Sequence, residues 1–87
     1  MSELKVQFVT REDCSLCDRA RPIVTKAARR IGATVEEIDV DTSPELVREF
    51  GDRVPVVLAP DGTVAAEGVI DRRALVKRMR GARTSDA

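Results

Sequence analysis

Two cysteines stand two residues apart in the stretch TREDCSLCDRARP, Thr10 to Pro22, and the chain has no others. Cys14 and Cys17 admit three kinds of chemistry. As thiolates they exchange with disulfides. As metal ligands they supply half of the four that a structural zinc site takes. As thiols in an apolar setting they are inert. The chain has no histidine, which removes a Cys–His pair and a mixed Cys–His zinc site. A metal or iron–sulfur cluster shared through Cys14 of two chains stays open, and so does a redox-silent binding module.

The elements around the pair narrow its surroundings. Leu4, Val6 and Phe8 alternate with Lys5 and Gln7, a strand pattern that runs out at Thr10. Beyond Leu16 the period changes. Ala20, Ile23, Val24, Ala27, Ala28 and Ile31 form one apolar helical stripe, with Arg19, Arg21, Lys26, Arg29 and Arg30 off it. Gly32 stands at the stop position. A Ser15–Asp18 capping box, Asp13 or Cys14 can begin the helix, and each choice puts Cys14 at its N-terminus. There, unpaired backbone N–H groups and the positive end of the helix dipole favour thiolate over thiol. Such placements bring a cysteine from about 8.5 into the range of roughly 3.5–7.5. The nearby side chains cancel: Arg11, Arg19 and Arg21 against Glu12, Asp13 and Asp18. Activation therefore falls to the backbone and Arg11. Cys17, one turn further in, is expected to be more covered and within reach of Cys14.

The remaining pattern gives the rest of the domain. A strand is expected over 34–40, with Ile38 and Val40 sharing a face and Val35 out of phase. Thr42 or Ser43, then Pro44 and Glu45, start a short helix with Leu46, Val47 and Phe50 inward and Gly51 at its end. The apolar run 54–59 suits a strand buried on both faces. The turn Pro60–Asp61–Gly62 sends the chain back through a partner strand over 63–69. Asp71 caps a last helix to about Arg80, with Leu75, Val76 and Met79 inward. The order is β-α-β-α-β-β-α, an α/β fold with a four-stranded mixed sheet flanked by helices. Residues 1–81 are expected to form a single domain and 82–87 a flexible C-terminal tail.

Composition excludes several classes. The chain has 87 residues, 43% apolar and 34% charged, enough for one small core. Fifteen Lys and Arg balance fifteen Asp and Glu, so net charge argues for neither nucleic acid nor a membrane surface. Two Phe, no Tyr and no Trp leave no stacking platform for single strands. The basic run Arg72, Arg73, Lys77, Arg78 and Arg80 reads as a wet helix face. No secretory signal or membrane span is read, and the expected setting is cytoplasmic, where close cysteines are catalytic or metal-binding more often than structural.

With CSLC opening the first helix, Pro22 five residues later, Val54–Pro55 at the third strand and EGVID (67–71) before the last helix, the chain resembles the glutaredoxin branch of the thioredoxin fold. The resemblance is to its short glutaredoxin-like members and covers about residues 4–80. It implies a thiol–disulfide oxidoreductase with Cys14 as nucleophile and Cys17 as resolving thiol, the two forming a redox-active disulfide. It implies that Pro55 is cis and shapes the substrate groove, and that the Val54 backbone pairs with an extended substrate. Arg11 matches a basic residue that holds a glutathione carboxylate, and Gly68 and Asp71 fall near the γ-glutamyl end. No bound cofactor and no metal are expected. Glutathione is a candidate co-substrate and partner, as are a disulfide-containing protein and a recycling reductase; the chain is expected to be a monomer that binds neither nucleic acid nor membrane. Ser15 and Leu16 between the cysteines, Arg53 before Val54–Pro55, and a single glycine at Gly68 depart from the usual glutaredoxin pattern. A glutathione-linked enzyme leans on Arg11 and Asp71; one recycled by a thioredoxin-reductase-like partner leans on these departures.

Overall fold

The computed structural model describes residues 4–81. The elements are β1 (Leu4–Thr10), α1 (Ser15–Arg30), β2 (Ala33–Asp39), α2 (Pro44–Phe50), β3 (Val56–Leu58), β4 (Val64–Glu67) and α3 (Arg72–Gly81), with a single 3-10 turn at Val40–Thr42. The four strands form one sheet in the order β2-β1-β3-β4. β1 and β2 are parallel, while β1–β3 and β3–β4 are antiparallel. The expected tail over 82–87 lies outside the described residues.

Alternation along the strands sends side chains into two separate cores. Val6, Phe8 and Val57 join Ala20, Val24, Ala27, Ala28 and Ile31 of α1 and Leu75 and Met79 of α3. Val9 and Val56 point the other way and meet Val40 and Phe50. Adjacent residues Val56 and Val57 thus fill opposite cores, which is why the run around β3 is continuously apolar. α1 keeps the expected stripe. It ends where Gly32, at φ +72°, takes the left-handed conformation that relieves the last carbonyls; its N–H bonds to the Arg29 carbonyl at 3.1 Å. Ser43 caps α2 by accepting the Leu46 N–H, and Pro44 occupies the first turn.

Four local expectations change. β2 ends at Asp39, and Val40 enters the 3-10 turn to reach the α2 side of the sheet. Val47 is exposed, whereas Leu46 and Phe50, four apart, form the narrow inward face of a seven-residue helix. The strand expected over 54–59 pairs only through Val56–Leu58. Val54–Pro55 lies before it as a cis peptide, and proline has no N–H for a ladder. β4 is shorter than 63–69 as well, since Gly68 at φ +71° turns the chain out of the sheet.

Leu75 is fully buried between α1, α3 and the sheet. Leu75→Ala is expected to cost about 2–5 kcal/mol in urea unfolding. Val47→Ala, at an exposed site, is expected to change stability by less than about 0.5 kcal/mol. Equal effects would contradict this division of core from surface.

Candidate functional site

The site lies where β1 ends and β3 begins. Val9 pairs with Val56, and Val56 pairs with Glu67. That register brings the Arg11–Cys14 loop, Val54–Pro55, Gly68 and Asp71 to one end of the sheet. Asp13 turns the loop at φ +56°, a conformation that a short acidic side chain tolerates better than most. The chain then enters α1 with Cys14 as N-cap, its backbone extended at φ −116°, ψ 103°.

Cys14 Sγ accepts the Cys17 N–H at 3.1 Å, and the Cys14 carbonyl accepts the Asp18 N–H at 3.1 Å. Sulfur thus takes the place that a serine or aspartate oxygen usually holds at a helix start. Cys14 is half-buried and Cys17 fully buried, with Cα atoms 5.2 Å apart and the sulfurs joined as a disulfide. Leu16, between them, is exposed.

Polar clamps fix the surroundings. Arg11 donates Nε and Nη2 to the two oxygens of Asp41, each at 3.0 Å, and Nη1 to the Gly51 carbonyl at 3.0 Å. This hydrogen bonding holds the Asp41 carboxyl below its ordinary range. The Gly68 N–H donates to the Pro55 carbonyl at 2.9 Å, tying the cis-proline loop to the end of β4. Asp71 caps α3 by accepting the Ala74 N–H at 2.9 Å. Arg53 grips Glu67 at 2.6 Å and lies over the Phe50 ring, 5.4 Å from its centroid. Among the described residues no backbone hydrogen bond engages Val54. The expected site residues are therefore gathered at one end of the fold, but Arg11, Gly68 and Asp71 spend hydrogen-bonding groups on the protein itself.

Two features beside the pair were not legible in the sequence. Arg21 clamps Glu37 through Nε and Nη2 at 2.9 and 2.8 Å and reaches Asp18 at 3.0 Å, while the Thr10 hydroxyl donates to Glu37 at 3.2 Å. The signal would have been the parallel β1–β2 register, which sets Phe8 beside Glu37 and Thr10 beside Asp39. The second is an apolar hollow of about 200 Å³ between the first turns of α1 and the β4–α3 loop, lined by Leu16, Ala20, Ile23, Gly68, Val69 and Ile70 among others. Val69 at its rim is 85% exposed. For metal, the pair contributes two thiolates, and among the described residues no cluster of three or more Cys, Asp or Glu adds to them.

A family model, Glutaredoxin-like domain (DUF836), matches residues 5–80. The uncharacterized protein Rv0508 of Mycobacterium tuberculosis (strain ATCC 25618 / H37Rv) is 38% identical over 63 residues, 67% of this chain. The match spans 65% of that relative's length, less than two thirds. Among solved structures, the Northeast Structural Genomics target XcR50 from X. campestris superposes with a TM-score of 0.73 at 30% identity, covering 88% of this chain and 97% of that one. A mutant thioredoxin from Halobacterium salinarum NRC-1 gives a TM-score of 0.70 at 27% identity, covering 92% of this chain and 74% of that one.

Arg21 holds the Glu37 carboxyl below its ordinary range, with help from Thr10. A carboxyl lowered on folding stabilises the protein above its unfolded value, near 4.3, and that stabilisation fades as pH falls through the folded value. Both partners are more than a third exposed, so the gain is about 0.2–1 kcal/mol. Arg21→Gln is therefore expected to lower stability at pH 7 by that amount and to match the parent near pH 2. A deficit that persists undiminished at pH 2 would place the effect in packing.

Proposed function

The chain belongs to the glutaredoxin-like domain family, and from that membership we propose that it is a thiol–disulfide oxidoreductase. The observation that carries the proposal is Cys14 capping α1 through sulfur, with Cys17 buried one turn behind it. In the reduced protein the Cys14 thiolate attacks one sulfur of a substrate disulfide. The substrate S–S bond breaks, a Cys14–substrate mixed disulfide forms, and the other substrate sulfur leaves as thiolate and takes a proton from water. The Cys17 thiolate then attacks Cys14 Sγ. The intramolecular disulfide closes and the second substrate thiol is released. Two electrons pass to the substrate, and an external dithiol or a reductase returns them.

A protein or peptide disulfide suits this site better than glutathione. The Arg11 guanidinium that would meet a glutathione carboxylate is committed through three nitrogens to Asp41 and Gly51. The hollow lined by Leu16 is apolar apart from Arg19 and matches a hydrophobic side chain flanking a substrate cysteine. The backbone of Val54 offers an edge for an extended segment. The proposal includes a cytoplasmic setting, whose reducing thiols keep such a dithiol cycling. No helix among the described residues is long and apolar enough to cross a membrane.

Cys17→Ser removes the resolving thiol and is expected to accumulate a mixed disulfide on Cys14 with protein or peptide substrates, identified by mass spectrometry. Cys14→Ser is expected to reduce a protein disulfide no faster than the buffer blank. A Cys17→Ser protein carrying only glutathione would reverse the substrate choice. One that keeps a free Cys14 thiol in the presence of disulfides would contradict the assignment of the nucleophile.

A further inference from the structure

Charge is segregated along the chain although its sum is zero. From 34 to 52, seven of the eight charged residues are acidic; from 71 to 80, five of six are basic. The fold concentrates the second group further. A cavity of about 340 Å³ between the end of α1 and the outer face of α3 is lined by Arg30, Arg72, Arg73, Val76, Lys77 and Arg80. Five of its six lining residues are cations. Arg78 is not among them and turns instead to the Val64 carbonyl at 3.3 Å. The ion pairs among the described residues use Lys5, Arg11, Arg21 and Arg53, and none uses a cation of this cavity. The wet helix face read from the sequence is thus a concave basic site once Arg30 closes it from α1.

We infer that this cavity binds a small anion carrying a chain of phosphates. Four of the five cations are arginines, whose planar forks pair with phosphate oxygens two at a time. Arg73, Lys77 and Arg80 recur at i, i+4 and i+7 and so share one face of α3, spanning about 10 Å along its axis. A single phosphate meets one end of such a row, whereas a linear polyphosphate meets all of it. Arg72 and Arg73 sit in the first turn of α3, whose start Asp71 already caps. Nothing in the cavity reads a base: the only aromatics, Phe8 and Phe50, are buried in the two cores. The concave form favours a compact ligand over the extended backbone of a duplex. Inorganic polyphosphate and the tail of a nucleoside triphosphate share the required chemistry. Of the lining residues, Arg30 lies at the far end of α1 from Cys14, while Arg72 and Arg73 follow Asp71 at the start of α3.

The test is thermal unfolding and calorimetric titration of the full chain in low salt with orthophosphate, tripolyphosphate, ATP and a short DNA duplex. Tripolyphosphate at ten times its Kd is expected to raise Tm by about 5–10 °C. Orthophosphate is expected to give a smaller shift, and added NaCl to weaken binding. Equal affinity for ATP and tripolyphosphate marks the phosphate chain alone as the recognised element. ATP binding tenfold tighter still supports the site and points to a nucleotide as its source. Arg73→Glu with Lys77→Glu is expected to abolish the shift, while the charge change Arg48→Glu on α2 leaves it intact. No shift with tripolyphosphate, an equal shift with orthophosphate, an equal loss in Arg48→Glu, or tighter binding of the duplex would each overturn the proposal.

Discussion

The site depends on where α1 begins. Cys14 is both the last extended residue and the helix cap, and its sulfur receives the Cys17 N–H at 3.1 Å. Sulfur is a weak acceptor compared with the oxygens that usually hold this position. The arrangement costs helix stability and places sulfur against the backbone donors and dipole that favour negative charge. Shift the start of α1 by one residue and Cys14 leaves those donors. Asp13 at φ +56° and the carbonyl bond from Cys14 to Asp18 hold the start in place.

What surrounds the cap is positioned by polar clamps and stabilised by two apolar cores. The ion pairs of Arg11, Arg21 and Arg53 are largely exposed, and such pairs add little to stability. Their value is geometric. Arg11 ties the loop before Cys14 to the 3-10 turn and the end of α2, and Gly68 ties Pro55 to β4. The burial of Phe8, Leu75, Met79 and the strand valines carries the stability that lets these weak clamps act.

Much of this was legible locally. The α1 stripe, Ser43–Pro44, the Asp71 cap and the continuous run of β3 each depend on residues within a few positions of one another. Strand ends were not, because pairing decides them: β3 is shortened by Pro55, which has no N–H to pair, and β4 by Gly68. Val47 escaped because three apolar neighbours in a short helix do not say which two face inward. The charges near Cys14 were the hardest to read. In sequence, three cations cancel three nearby acids; in the fold, Arg11 answers Asp41, thirty residues away, and Arg21 answers Glu37 as well as Asp18. With those cations neutralised by carboxylates, the backbone at the helix start is left as the main support for a Cys14 thiolate.

That conclusion is tested most directly by alkylating the reduced protein with iodoacetamide at pH 6.5 and following each cysteine by peptide mass. A thiolate favoured by the helix start predicts that Cys14 reacts faster than free cysteine, whose thiolate is scarce at that pH, while buried Cys17 lags behind. A Cys14 that reacts no faster than free cysteine would contradict it.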